Sequence, residues 1–481
     1  MKNKIIKTIS VAAFIIGLGS SIAQAQQAPT VPNIAAATTP NSEVNWREEY
    51  AYHLGMQAYV YGFPAIYYAK LRFGMVERPM GRVNIPINTF FHAPLADATD
   101  QTGGSPNHDT NYSIAWVDLR QEAMVVETPA ANRFSAVEFT DFYSDGFAYS
   151  GASVNQGRAE KVLLVGPNWR GTKPRGISRI IRSPSNWAFL LARTYAVEGP
   201  DAEIASAIQR QISVKPLSVW QGGPAKPEMR DVLNPSPPNQ ELADFVTMNA
   251  VMKESPPPPR DDALMRQFAR IGLGPLATGP ISELDAATKR GLARALIDGP
   301  KLLESASKAG GNTRVAGTWF YGDINWGRMA ERHDFLGRAS PQAYAGIVEN
   351  WVEICTKLRT FIDSDGVTLD GSQKYALHFA REQIPVAREF WSITMYDSRY
   401  NMVANPIHRY TINNRTEGVK YNADGSLDIY IQPERPEGEK VANWLPSKAG
   451  EPFNLFLRAY GPGASILNQT YVPPSVTKVA N

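Results

Sequence analysis

Two copies of one β-sandwich, separated by a helical segment, are predicted by three observations. Short β-rich runs punctuated by Gly and Pro fill two separate stretches of the chain. The stretch between them carries helical periodicity. Three runs of the first β region also find counterparts, in the same order, in the second. At 481 residues the chain is too long for one ordinary core. The predicted class is therefore mixed, mainly β.

The first 25 residues are not part of that fold. They open on Lys2, Lys4 and Lys7, continue as an apolar run from Ile9 to Leu18, and end in Ala23-Gln24-Ala25. This is the pattern of a secretory signal peptide cleaved after Ala25, so a periplasmic or secreted location is expected. The apolar run is too short to span a membrane comfortably, and no later stretch looks membrane-spanning. Residues 26–43, rich in Pro, Ala and Thr, read as a disordered leader.

Residues 44–206 read as an N-terminal helix followed by the first sandwich. Trp46 to Phe73 is helix-like, with a kink or break expected at Pro64. "AMVVETP", "RFSAVEFTDFY", "EKVLLVGPNW" and "NWAFLLARTYAV" then read as strands. Residues 207–365 read as mainly helical. Leu242, Phe245, Val246 and Met252 suit one helical face, and Ser282 suits an N-cap ahead of "LDAATKRGLARALIDG". Ser340-Pro341 suits a helix start. In "YAGIVENWVEICTKLRTFI", Ile347, Trp351, Ile354, Leu358 and Phe361 recur at helical spacing, so Cys355 beside them reads as a buried structural thiol. Residues 366–481 return to strands, with "FWSITMYD", "RYTINN", "LDIYIQ" and "FNLFLRAYGP" as the second sandwich.

The internal likeness rests on three pairs. "RFSAVEFTDFYSDGFAY" parallels "EFWSITMYDSRYNMVAN", "AEKVLLVGPNWRG" parallels "SLDIYIQPERPEG", and "NWAFLLARTYAVEGP" parallels "PFNLFLRAYGPG". The last pair sets Arg193 opposite Arg458, each followed two residues later by Tyr.

Composition excludes several classes. Three of the 49 Lys and Arg lie in the signal segment, so the mature chain balances 46 basic against 46 acidic residues. A balanced chain has no general pull on nucleic acid or anionic membrane. The single cysteine excludes an internal disulfide. His53, His92, His108, His333, His378 and His408 are scattered, with no zinc-type spacing, and no cofactor or metal is expected. Only His378 and Glu382 would share a face, if Lys374 to Gln383 were helical. There is no G-x-S-x-G elbow and no phosphate loop.

With "PNHDTNYSIAWVDL", "LLVGPNWRG", "NPIHRYTINN", "NADGSLDIYIQ", "NWLP" and "FNLFLRAYGP" assembled, the chain resembles a tandem of two domains of unknown function, catalogued as 1254 (N-terminal) and 1214 (C-terminal). The resemblance implies two jelly-roll-like β domains joined by helices, and no settled reaction. Asn107, Asp109, Thr110 and Tyr112 match the first motif, whereas His108 falls at one of its variable positions.

The candidate chemistry gathers in polar and aromatic groups. Asn107, Asp109, Tyr112, Tyr143, Arg193, Trp391, Tyr396, Asn405, Arg409 and Trp444 are the candidate ligand-binding residues. Aromatic platforms beside Asn, Asp and Arg suit an oriented polar small molecule or glycan. Asp109, Asp141 and Tyr112 are the catalytic candidates, because paired carboxylates could do acid–base work in a hydrolase or lyase. Asp at strand ends also closes turns on its own backbone, which makes Asp109 either a cleft residue or a local cap. Arg193 and Arg458 lie in otherwise apolar strands, and a buried Arg needs a partner: an internal carboxylate, or a ligand's carboxylate or phosphate. The expected function is an exported protein binding a small molecule in a sandwich cleft. The alternatives are the carboxylate enzyme and a non-catalytic structural or assembly protein. Homo-oligomerisation stays open.

Overall fold

The computed structural model describes residues 44–77, 85–101, 104–226, 232–309, 314–344 and 346–479. The signal-like segment and the leader lie outside the described residues.

The first sandwich is built from β1 (Phe91–Ala93), β2 (Thr110–Asp118), β3 (Met124–Thr128), β4 (Ser135–Thr140), β5 (Gly146–Ser150), β6 (Glu160–Val165), β7 (Arg179–Arg182), β8 (Trp187–Tyr195) and β9 (Ser213–Pro216). The second uses β10 (Val315–Ala316), β11 (Trp319–Tyr321), β12 (Cys355–Thr360), β13 (Tyr375–Phe379), β14 (Ala387–Asp397), β15 (Thr411–Asn413), β16 (Leu427–Gln432), β17 (Trp444–Pro446), β18 (Phe453–Pro462) and β19 (Thr477–Lys478).

The two sandwiches share one topology. One sheet of the first runs β1-β2-β8-β4-β5, and its counterpart runs β10-β11-β12-β18-β14-β15. The other pair runs β7-β6-β3-β9 and β17-β16-β13-β19. Each strand from β2 to β9 thus has an equivalent ten places later. The parallel pairing of β6 with β7 recurs in β16 with β17. The three sequence parallels fall on β4/β14, β6/β16 and β8/β18.

Alternation along the strands fills each core. Val117, Val126, Phe139, Val162 and Leu190 meet inside the first sandwich. Leu358, Leu377, Ile393, Ile429 and Leu457 meet inside the second. A helical middle segment lies between, with helices at Ala243–Glu254, Asp262–Ala269 and Ala286–Ala309. The last is capped by Asp285, whose carboxylate accepts from the backbone N–H groups of Ala287 and Thr288, not by Ser282. The Trp46–Val76 helix runs unbroken through Pro64. Tyr68 of that helix packs edge-on against Trp116 on the outer face of the first sandwich.

Two expectations are corrected. Residues 355–360 form a strand rather than a helix, and strands resume at Val315, well before residue 366. The apolar residues at helical spacing misled because they belong to different places: Leu358 fills the second core, whereas Ile354 and Trp351 pack in the seam between sandwiches. Residues 375–379 are likewise a strand. His378 and Glu382 therefore do not form a helical i,i+4 pair, and His378 instead bonds Asp428 on the neighbouring strand at 2.7 Å. Among the described residues no helix is long and apolar enough to cross a membrane.

Candidate functional site

The sandwiches meet through the outer faces of their β2-β8-β4 and β12-β18-β14 sheets. Phe134, Tyr195, Phe390 and Tyr460 form the apolar seam, with the Phe390 and Tyr460 rings stacked at 4.3 Å. Strand alternation decides which polar side chains reach this face. On β18, Leu455, Leu457 and Ala459 point into the second core, so Phe456, Arg458 and Tyr460 point into the seam. On β8, Leu190 and Ala192 point inward, which turns Leu191, Arg193 and Tyr195 out. On β12, Leu358 points inward, which turns Lys357 and Arg359 out.

A cavity of about 120 Å³ opens in this seam. Its apolar side is Met75, Ala93, Ile114, Phe189, Leu191, Ile347 and Val348. Its polar side is Asn107, Tyr112, Arg193, Glu349, Asn350, Lys357, Arg458 and Tyr460. Both sandwiches and the 346–350 loop contribute.

The two repeat-related arginines differ in their partners. Arg193 Nη1 donates to Glu138 Oε2 at 2.7 Å and to Asn350 Oδ1 at 2.9 Å. Glu138 is fully buried. Burial pushes its carboxyl up, against the pull of Arg193. Burial also works against the Arg193 charge, but Glu138, with Tyr112 and Tyr149 beside it, more than offsets it and the guanidinium stays protonated. That is an internal ion pair.

Arg458, 2% exposed, has no such partner. Its Nη2 donates to the Ser105 carbonyl at 2.9 Å, and its Nη1 has no hydrogen-bond partner. Among the described residues, no carboxylate lies within ion-pairing distance of it. The thiol and phenols beside it are uncharged at neutral pH: burial pushes Cys355 up to about 11 and Tyr396 up to about 12, and raises Tyr460 well above the usual phenol range. A buried guanidinium without a counter-charge is costly unless something else supplies one.

The remaining cation of the cavity is neutralised. Lys357 Nζ lies 2.5 Å from Glu349 Oε2.

The family motif builds the cavity edge. Asn107 donates its amide to the Tyr460 hydroxyl, and its backbone N–H donates to the Tyr112 hydroxyl at 3.1 Å. Tyr396, fully buried, donates to the Pro106 carbonyl at 2.7 Å and so holds the same loop. Asp109 neither faces the cavity nor caps its own backbone. It reaches into the second sandwich, where Asn413 Nδ2 donates to its Oδ1 at 2.8 Å. The local turn is closed by Asn107, whose Oδ1 accepts the Asp109 N–H at 2.9 Å. His108 is held by the Ala96 carbonyl at 2.6 Å.

The structure thus brings Asn107, Tyr112 and Arg193 together, with Tyr396 behind the wall. It places the other candidates elsewhere. Asp141 Oδ1 accepts from the N–H groups of Tyr143 at 2.8 Å and Asp145 at 3.1 Å, closing a buried turn beneath the helices. Burial, with the charge of Asp145 adding to it, raises Asp141 to about 7. Tyr143 donates to the Ser255 carbonyl at 2.8 Å in the same region. Trp391 lies in the second core, and Trp444 is buried with its indole N–H on the Gln432 carbonyl. Arg409 Nη1 donates to the carbonyls of Val441, Ala442 and Trp444, and Asn405 closes the loop that carries Arg409. Their polarity and aromaticity serve packing and loop closure.

Of the polar lining residues, Glu349, Asn350, Lys357 and Tyr460 are not singled out in the sequence, and Arg458 is named as a possible anion partner but not among the candidate binding residues. The first three lie in the stretch read as helix. A signal was present in the alternation of Lys357, Leu358 and Arg359, with Thr356 and Thr360 favouring a strand. Arg458 was visible as the repeat counterpart of Arg193. Among the described residues no three His, Cys, Asp or Glu side chains gather into a metal-holding group.

Residues 87–216 match the model of the protein of unknown function DUF1254, and residues 356–464 match that of the protein of unknown function DUF1214. The chain is a tandem of these two domains. No curated protein matches the tandem significantly. The crystal structure of the VPA0106 protein from Vibrio parahaemolyticus resembles it with a TM-score of 0.70 at 21% identity, over 89% of this chain and 100% of that one. An uncharacterized protein from Burkholderia cenocepacia reaches a TM-score of 0.44 at 14% identity, over 90% of this chain and 94% of the other. The first of these likenesses shows that the tandem fold recurs in the Vibrio parahaemolyticus protein. In the tandem, Asn107, Tyr112 and Arg193 come from the first domain, and Lys357, Arg458 and Tyr460 come from the second.

Proposed function

We propose that the protein binds a small carboxylate-bearing molecule with an apolar body in the cavity between its two sandwiches. The observation that carries this reading is Arg458: buried, held by one backbone carbonyl, and with a free Nη1 beside the cavity it lines. A planar guanidinium suits a carboxylate, and the apolar wall suits a hydrocarbon or aromatic body. The small volume favours this class over a glycan.

Calorimetric titration with 5-phenylpentanoate and its neutral amide tests the reading. The acid is expected to bind and the amide to bind at least tenfold more weakly. Arg458→Met is expected to remove the preference. Equal affinity for acid and amide, or an unchanged preference in the variant, would overturn it.

The acid–base enzyme reading has less support, because Asp109 and Asp141 have separate partners and neither lines the cavity. The signal-like sequence supports an exported protein. N-terminal sequencing of the mature chain is expected to begin at Gln26, and a start at Met1 would contradict export by cleavage.

A further inference from the structure

A second, smaller chamber of about 50 Å³ adjoins the cavity. The two share Gly104, Ser105, Glu349 and Lys357 as a common wall. On the far side of that wall the second chamber is lined by Phe320, Trp326, Arg359, Tyr400 and Phe456. Ser105 supports the wall from both directions: its carbonyl accepts from Arg458, and its N–H donates to the Tyr400 carbonyl at 3.1 Å.

Arg359 is half-buried and, among the described residues, has no hydrogen bond or ion pair to its guanidinium. Its neighbour in charge, Glu349, is already engaged by Lys357 at 2.5 Å. The charge balance of the two chambers follows. Arg193 is cancelled by Glu138, and Lys357 by Glu349. Arg458 and Arg359 are not cancelled. Both project from the same sheet face, because Lys357 pairs with Arg458 and Arg359 pairs with Phe456 in the β12–β18 register. Diagonal neighbours of this kind are rooted about 7–8 Å apart, a span that two carboxylates on one short carbon chain can bridge.

We infer that the two chambers together take one dianion, a small dicarboxylate with an apolar substituent, whose first acid group meets Arg458 and whose second meets Arg359. This rests on the single-anion reading above and adds a second charge to it. The apolar substituent occupies the inner wall of Ile114, Phe189 and Leu191. The second acid group lies on the Arg359 side, beside the Ser105 and Lys357 residues that the two chambers share. A monoacid leaves Arg359 without a counter-charge. A neutral ligand leaves both arginines without one.

The test compares 2-benzylglutarate with 5-phenylpentanoate, the same carbon skeleton with and without the second carboxylate. The diacid is expected to bind the wild-type chain at least tenfold more tightly. Arg359→Met is expected to abolish that gap while leaving the monoacid affinity within twofold. Arg359→Lys, which keeps the charge, is expected to retain part of the gap. Arg458→Met is expected to weaken both ligands. Equal affinity for the two acids, or a gap that survives Arg359→Met, would overturn the second subsite and leave the single-anion reading standing. Unchanged binding of both acids to Arg458→Met, or no binding of either acid to the wild-type chain, would take down both.

Discussion

Lys357 and Arg458 stand directly opposite each other in the β12–β18 register, and among the described residues only the lysine has a carboxylate partner. Like charges facing each other across a strand pair weaken it. Glu349 relieves one of them. The other remains buried, bonded to a single backbone carbonyl. The equivalent position of the first sandwich, Arg193, has its own glutamate. The duplicated fold thus holds one arginine closed by an internal ion pair and one left open beside a cavity.

That asymmetry predicts opposite stability effects for two similar substitutions. Arg193→Met leaves Glu138 buried and unpaired, and is expected to cost about 3–5 kcal/mol. Arg458→Met removes a buried charge that has no counter-charge, and is expected to be neutral or stabilising by on the order of 1 kcal/mol in ligand-free protein. Urea unfolding of the two variants checks this. Equal and large destabilisation by both would show that Arg458 has an internal partner after all.

Asp109 is predicted to be a staple between sandwiches. Asp109→Ala leaves the buried Asn413 amide without its acceptor and is expected to cost roughly 1–3 kcal/mol. Asp109→Asn keeps an acceptor oxygen and is expected to cost less. Neither is expected to change 5-phenylpentanoate affinity by more than twofold once folding is confirmed by circular dichroism. A loss of binding in a folded Asp109→Asn protein would return this residue to the site.

Much of the architecture is legible in the sequence. The β runs, the helices around Phe245 and Leu292 and the order of the three repeat pairs follow from local patterning, which strands and helices impose wherever one face is buried. The stretch around Cys355 is not, because its apolar residues belong to the seam and to the second core and fall by chance at helical spacing, which masks the short alternation of Lys357, Leu358 and Arg359. The site was half legible. Asn107, Tyr112 and Arg193 stand close to a quotable motif or repeat. Glu349, Asn350 and Lys357 enter only when the second sandwich docks on the first, a long-range event without a local signature. The aromaticity of Trp391 and Trp444 serves packing, in the second core and against the Gln432 carbonyl.

Asp141 gives a pH dependence with a definite sign. Its folded value is raised to about 7, from an ordinary value of 3.8. The folded state therefore holds this proton more tightly than the unfolded chain, and stability falls as pH rises from about 4 through about 7. Asp141→Asn keeps the oxygen that accepts from Tyr143 and Asp145 and removes the titration. Its stability advantage is expected to be near zero at about pH 4 and to grow to on the order of 1–3 kcal/mol at about pH 8. Thermal melts across that range measure it. A pH-independent difference would contradict the assignment.

Cys355, buried and pushed up to about 11, is expected to resist a thiol-specific disulfide reagent at about pH 8, where only roughly one thiol in a thousand is ionised. It should react fully in denaturant. Rapid native-state labelling would mean that the seam between the sandwiches opens.

Native mass spectrometry of the chain purified from its own cells tests the central claim most directly. The wild-type protein is predicted to carry an acidic small molecule that is released on denaturation and missing from folded Arg458→Met. Retention of the same molecule by the variant, or a neutral molecule in its place, would contradict the account.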